Sequence, residues 1–259
     1  MPKFCANLSM LFTEVGFGDR FESAAKAGFK AVECQFPYEL PKEEIAAKLD
    51  KLGLEFILHN IPSGSWAAGE RGIACLPGRE SEFQEGVGKA IEYAKALKCP
   101  RINCLAGLTP KDAPADKVRQ TLVSNLKFAA DALQKAGITF VVEALNDKDV
   151  PGFYLVRTQD VLKLFEEVGH PNLYLQYDIY HMQIMEGNLT KTIQDNISCI
   201  GHIQLADVPG RHEPGTGEID FPNLFKCIDE AGYTGWIGCE YKPAGVTEDG
   251  LGWVKPYLK

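Results

Sequence analysis

One unit recurs along this chain of 259 residues: an amphipathic segment closes on a small or apolar residue plus glycine, and an apolar run follows. The joints are Ala27-Gly28-Phe29, Leu52-Gly53-Leu54, Ala136-Gly137-Ile138 and Ala231-Gly232-Tyr233, with Val168-Gly169-His170 a looser version. Glycine lacks the Cβ that penalises the left-handed backbone closing a helix, so each joint marks a helix end and the approach to a strand. Before the joints, Val118, Leu122, Leu126, Ala129 and Leu133 recur every three or four residues, as do Phe83, Val87, Ile91, Ala94 and Leu97. Each set makes one apolar stripe, the pattern of a helix lying on a core. The runs at 4–8, 31–36, 56–59, 102–106, 138–143, 173–178, 200–205 and 236–240 are near-continuously apolar. That suits strands covered on both faces. Eight strand–helix alternations, the last helix a short segment after Thr247, predict one α/β domain over residues 1–259, a (β/α)8 TIM barrel. An open doubly wound sheet is the rival. It calls for a glycine-rich phosphate loop after the first strand, and Asn7-Leu8-Ser9-Met10-Leu11 is not one.

Charge and cysteine usage narrow the function classes. The net charge of -8 is spread along the chain, which argues against a broad nucleic-acid surface, since that needs a basic patch. No run nears the roughly 18 apolar residues of a membrane span. The first residues enter a strand-like pattern at once, which leaves no room for a signal peptide. Eight cysteines lie far apart with no Cys-x-x-Cys pair, so buried reduced thiols in a cytoplasmic protein are expected. Helices on a barrel surface often form dimer contacts without a readable motif, and a homo-oligomer is compatible with the sequence.

In a barrel, polar residues at the C-terminal ends of strands build the site. Those ends are Asn7, Glu33, His59, Asn103, Glu143, Asp178, His202 with Gln204, and Glu240. The last four strands each place an oxygen-bearing side chain after an apolar run: Glu143, Asp178, Gln204 and Glu240. Three carboxylates and an amide oxygen around half a rim suit a hard cation, Mg²⁺ or Mn²⁺. The alternative is that each acid pairs with a lysine or arginine, or is solvated. His181, three residues beyond Asp178, is either a helix-start histidine or a contact to a substrate oxygen. Arg211, in the loop Pro209-Gly210-Arg211-His212-Glu213-Pro214-Gly215, is placed to clamp a carboxylate or to pair with a neighbouring acid. Lys242, Arg71 and His59 are further candidates for substrate contact, and the loop around Gly64, Gly69 and Gly72 is a candidate lid. No Gly-x-Ser-x-Gly elbow, Walker loop or His-Glu-x-x-His helix is present. These residues offer metal-assisted proton transfer by carboxylates. An abasic-site endonuclease or phosphodiesterase on the same barrel would call for a histidine-rich zinc cluster, and the chain has five histidines in all.

Long local stretches resemble the hydroxypyruvate isomerase family, within the xylose-isomerase-like group of metal-dependent barrels. They include Ala6-Asn7-Leu8-Ser9-Met10-Leu11-Phe12-Thr13-Glu14, Gly64-Ser65-Trp66-Ala67-Ala68-Gly69-Glu70-Arg71-Gly72 and Val142-Glu143-Ala144-Leu145-Asn146. Gln204-Leu205-Ala206-Asp207-Val208-Pro209-Gly210-Arg211-His212-Glu213-Pro214 and Gly238-Cys239-Glu240-Tyr241-Lys242-Pro243 complete the match. The resemblance implies a metal held by Glu143, Asp178, Gln204 and Glu240, with Glu143 and Glu240 as the acid/base pair. Related sugar epimerases commonly carry histidine where Gln204 stands, so the glutamine fits the isomerase branch. The implied reaction interconverts hydroxypyruvate and 2-hydroxy-3-oxopropanoate through a metal-stabilised enediolate. Close relatives isomerise four-carbon 2-oxo sugar acids by the same logic.

Overall fold

The structure, a computed structural model, describes residues 1–258. Nine short segments form one parallel sheet: β1 (Lys3–Asn7), β2 (Ala31–Glu33), β3 (Glu55–Phe56), β4 (Leu58–Asn60), β5 (Arg101–Cys104), β6 (Thr139–Glu143), β7 (Tyr174–Asp178), β8 (Ile200–Leu205) and β9 (Trp236–Cys239). Their order is β3-β2-β1-β9-β8-β7-β6-β5-β4. The two ends of that order flank a single residue, Ile57. Backbone bonds from Cys34 N to Leu58 O (3.2 Å) and Asn60 N to Gln35 O (2.9 Å) carry the ladder across the break. β3 and β4 are therefore two halves of one barrel strand, and the ring closes as the expected (β/α)8 barrel.

Outside it run α1 (Phe17–Lys26), α2 (Lys42–Leu52), α3 (Glu80–Leu97), α4 (Ala115–Lys135), α5 (Thr158–Val168), α6 (Ile179–Met185), α7 (Leu189–Asn196) and α8 (Phe221–Glu230). The sixth unit thus carries two helices where one stripe is legible. The eighth ends in 3-10 turns over Thr247–Trp253 and Lys255–Tyr257 rather than an α-helix. The glycine joints work as their spacing predicts: Gly169, at φ 63, caps α5 by donating to Phe165 O at 2.8 Å.

Strand alternation decides which side chains enter the barrel. On β1, Phe4, Ala6 and Leu8 join the main core between sheet and helices, while Cys5 and Asn7 point inward to Glu33. Cys5, Ala31, Ile57, Leu58 and Val141 form a small separate apolar plug. Above it, towards the C-terminal ends, the inward positions turn polar and are buried: Asn7, Glu33, Asn60, Asn103, Glu143, Gln176, Asp178, His202, Gln204 and Glu240. The break at Ile57 disturbs this parity. Ile57 and Leu58, adjacent in sequence, both belong to the inner plug, so the next residue is turned outward. His59 therefore packs among helices, its ring 5.8 Å from Tyr38 and 6.0 Å from Phe56, and Asn60 takes the inward place. That one-residue slip places His59, a sequence candidate for substrate contact, outside the lining of the cavity described below.

Candidate active site

Glu33 sits at the centre of the polar layer, fully buried. Its Oε1 accepts from Asn7 Nδ2 (2.9 Å) and Gln204 Nε2 (2.7 Å). Its Oε2 meets His202 Nε2 at 2.7 Å and Cys5 Sγ at 3.4 Å. Burial opposes its ionisation most strongly, but His202, Gln204 and Asn7 together hold its carboxyl below the usual range. On the neighbouring strand, Gly238 leaves the space that the Glu33 carboxylate fills; a Cβ there would collide with it.

Nearer the mouth, three acids and one arginine converge. Glu240 accepts from Gln35 Nε2 (2.9 Å) and Asn7 Nδ2 (3.2 Å) on Oε1, and from Arg211 Nη2 (2.5 Å) on Oε2. Asp178 ends β7 and caps α6, its Oδ1 accepting from Tyr180 N at 2.8 Å; its Oδ2 lies 3.5 Å from Arg211 Nη2. Glu143 has one donor, Asn103 Nδ2 at 3.0 Å, and its Oε1 is buried without a partner among the described residues. Burial first, then Glu240 and Asp178, push the Glu143 carboxyl well above the usual range. Burial also raises Asp178, to about 7, with Arg211 opposing and Glu240 adding. Burial works against the charge on Arg211, but Glu240, Asp178 and Glu143 outweigh it and raise its pKa. Fully ionised, three carboxylates would exceed one guanidinium by two negative charges, and the orphaned Glu143 oxygen faces the other two acids. A divalent cation fits both observations.

The donor set also bears on the kind of cation. Glu143, Asp178 and His181 each offer an atom within 4.8 Å of the others. His181 Nδ1, however, accepts the backbone N–H of Asn146 at 3.1 Å. A neutral imidazole that accepts at Nδ1 carries its proton on Nε2, the nitrogen 3.5 Å from Asp178 Oδ2. Burial, then Arg211, holds the ring neutral, well below its usual pKa. His181 thus presents a donor to the site rather than a lone pair, and the remaining candidates are oxygens. Gln204, in register with Asp178, is one: its Nε2 goes to Glu33, and its Oε1 accepts from Gln176 Nε2 at 2.7 Å with a second lone pair left.

These groups open onto a cavity of about 80 Å³ lined by Gln35, Asn60, Glu143, His181, Arg211 and Glu240 on the polar side. Trp66, Leu105, Leu145 and Val150 close it on the apolar side. A depression of about 450 Å³ between Lys3, Arg101, Tyr233 and Trp236 is larger but lies at the N-terminal ends of the strands. The acid cluster is at the other end, and the chemistry goes with the acids.

Two long loops position the rest. Asp207, buried beyond β8, accepts the backbone N–H groups of Val208 (2.8 Å), Gly215 (2.9 Å), Gly217 (2.9 Å) and Ile219 (3.1 Å). That loop holds Arg211 at a left-handed φ of 60, with its guanidinium carbon 5.0 Å above the Tyr180 ring. Arg71 stacks on Trp66 at 4.1 Å and donates to Trp66 O and Glu70 O; Glu70 in turn pairs with Arg79. Arg71 therefore backs the wall and does not line the cavity. Lys242 is exposed and engaged by its backbone alone, its N bonding Arg211 O (2.7 Å) and its O meeting His212 Nδ1 (2.7 Å). Gln35, Asn60 and Gln176 escape a reading of strand ends. Each lies two residues from an acid or one from a histidine, so period-two alternation through the closed barrel is the signal that finds Gln35 and Gln176.

A profile of the xylose isomerase-like TIM barrel family matches residues 21–257. The chain is 54% identical to hydroxypyruvate isomerase of Escherichia coli (strain K12), covering 99% of this chain and all of that one. It is 50% identical to 2-oxo-tetronate isomerase of Cupriavidus necator over 100% of this chain and 99% of the relative. Among solved structures, a protein from Brucella melitensis described as AP endonuclease, family 2 superposes with a TM-score of 0.97 at 45% identity, covering 99% of both chains. The apo form of 3-keto-D-glucoside 4-epimerase from E. coli, at 20% identity and a TM-score of 0.82 over 99% of both chains, shares the fold. The eight βα units and the matches across nearly the whole chain agree: this protein belongs to the xylose isomerase-like TIM barrel family.

Proposed function

We propose that this protein is an aldose–ketose isomerase of small hydroxy-keto acids, interconverting hydroxypyruvate and 2-hydroxy-3-oxopropanoate. The observation that carries the reading is the meeting of Glu143 and Glu240, two inward glutamates from β6 and β9, at one small cavity with Arg211 and His181. The isomerase named for hydroxypyruvate is 54% identical to this chain, and three named for 2-oxo-tetronate are 43% to 50% identical. The two substrates share a keto carbon between a carboxylate and a hydroxyl-bearing carbon. The four-carbon acid adds a hydroxymethyl group.

Each residue has a defined task in this reading. Arg211 receives the substrate carboxylate through Nη1, which bonds none of the described residues, while Nη2 stays on Glu240. His181 donates from Nε2 to a substrate oxygen and orients the keto group. Glu143, with its free Oε1, and Glu240 remove a proton from one carbon and return one to the next; each serves as base in one direction of the reaction. Trp66, Leu105, Leu145 and Val150 exclude water, which protects the enediolate from stray protonation. Glu143, Asp178, Gln204 and Glu240 would hold a divalent cation, which supplies Lewis-acid polarisation of the carbonyl and hydroxyl oxygens. The all-oxygen set supports Mg²⁺ or Mn²⁺ over zinc. The eight free cysteines, seven of them buried, support a reducing compartment, the cytoplasm. Among the described residues, no helix is long and apolar enough to cross a membrane.

The test is turnover of hydroxypyruvate and of the four-carbon 2-oxo acid by Mn²⁺-loaded protein in deuterated water. The expected result is a higher kcat/KM for hydroxypyruvate, with deuterium at the receiving carbon of the product. A higher kcat/KM for the four-carbon acid replaces the substrate assignment. Complete retention of the substrate hydrogen would point instead to a hydride shift or a shielded proton transfer, and turnover of neither acid overturns the isomerase.

A further inference from the structure

The strongest unexplained group outside the cavity is Glu33. It is fully buried, it does not line the cavity, and the reaction as derived does not use it. Its neighbours nevertheless tie it to two of the four candidate metal ligands. A carboxamide is nearly symmetric in shape, so only its hydrogen-bond partners decide which end faces where. An ionised carboxylate accepts and never donates. Glu33 Oε1 therefore takes the NH₂ end of Gln204, at 2.7 Å, and turns the oxygen end the other way. That oxygen then selects the NH₂ end of Gln176, also at 2.7 Å. One buried charge thus sets the direction of two successive amides. Through Asn7, whose Nδ2 donates to Glu33 Oε1 at 2.9 Å and Glu240 Oε1 at 3.2 Å, it also fixes the second ligand. His202 Nε2 at 2.7 Å and the absence of a Cβ at Gly238 hold Glu33 in place.

We propose that Glu33 is a positioning residue for the metal site: it holds the Gln204 amide with its NH₂ end on Glu33 and its oxygen, with one lone pair left, turned away, and anchors Glu240 through Asn7, touching neither metal nor substrate. The inference rests on Gln204 acting as a ligand. Glutamine in place of Glu33 keeps the volume but has one acceptor oxygen for four donors, so the direction of the Gln204 amide is no longer dictated.

The experiment is a double-mutant cycle read as the Mn²⁺ dissociation constant by calorimetry, with Glu33→Gln, Gln204→Ala and the pair together. Wild-type protein binds Mn²⁺, and Gln204→Ala weakens it. Glu33→Gln weakens it about ten- to a hundredfold, the range for residues that orient ligands, and weakens it less once Gln204 is gone, the remainder passing through Asn7 to Glu240. Full additivity, or unchanged affinity in Glu33→Gln, overturns the proposal while leaving Gln204 a ligand. Unchanged affinity in Gln204→Ala, or no Mn²⁺ binding by wild type, overturns the ligand reading and the proposal with it. A measurement on the wild-type chain covers the case in which Glu33→Gln does not fold. In the Mg²⁺-loaded protein, the side-chain NH₂ signals of Gln204, assigned by their loss in Gln204→Ala, are protected from hydrogen exchange. Rapid exchange of those protons overturns the proposal.

Discussion

Two glutamates occupy equivalent inward positions, Glu33 at the end of β2 and Glu143 at the end of β6, and both are buried. Their environments are opposite. Glu33 is met by four donors, and its carboxyl is held below the usual range although burial opposes that. Glu143 is met by one donor, keeps an orphaned oxygen beside two further carboxylates, and is pushed well above the range. Burial alone does not distinguish a structural acid from a functional one; the number of donors does. A fully satisfied carboxylate organises what surrounds it. One left short of partners at a cavity is available to a ligand.

The contrast breaks most visibly in turnover. Glu143→Gln and Glu240→Gln are each expected to lower kcat by about 10²- to 10⁴-fold, the usual contribution of a positioned acid or base. Near-wild-type kcat in either variant would sink the two-glutamate mechanism. The same substitutions sharpen the contrast in stability. In metal-free protein, Glu143→Gln removes a poorly solvated acid and leaves the melting temperature unchanged or raised. Glu33→Gln strands donors and costs about 3 kcal/mol, as when one partner of a buried pair is lost. Equal melting temperatures for the two variants in a calorimetric scan would erase the distinction.

A smaller effect on stability is expected from metal. Exhaustive chelation silences the enzyme and Mg²⁺ or Mn²⁺ restores it. Mn²⁺ at a hundred times its dissociation constant adds about 2.7 kcal/mol to wild-type stability. A chelated, verified metal-free preparation with full activity would reject the cation. The smallest effect belongs to His59, whose ring burial holds neutral with a pKa of about 4. His59→Phe keeps the packing against Tyr38 and is expected to leave kcat/KM at the wild-type level. A large loss there would mean that His59 reaches the site despite its outward position.

The glycine joints and apolar runs make the barrel legible in the sequence because helix ends and doubly covered strands obey local rules. The acids at the rim are legible for the same reason, as a strand end is a local feature. Three kinds of residue are not. His59 turns outward because a single-residue break at Ile57 shifts the parity of the rest of that one strand. Gln35, Asn60 and Gln176 carry no charge, and their partners lie on other strands, so their significance appears only once the ring is closed. Arg71 and Lys242 look like clamps because cations near a mouth invite that reading. The stacking of Arg71 on the Trp66 ring and the backbone bonds that hold Lys242 are set by loop packing that no periodicity encodes.

The anchoring of the Arg211 loop has a consequence for substrate capture. A non-glycine residue in left-handed backbone costs about 1 kcal/mol, and the four N–H bonds to Asp207 offset that strain when the chain folds. The guanidinium is therefore oriented as the chain folds. In the role proposed for Arg211, binding at this end of the cavity would ask for little further loss of chain entropy, and an arriving acid would meet an arm already aimed.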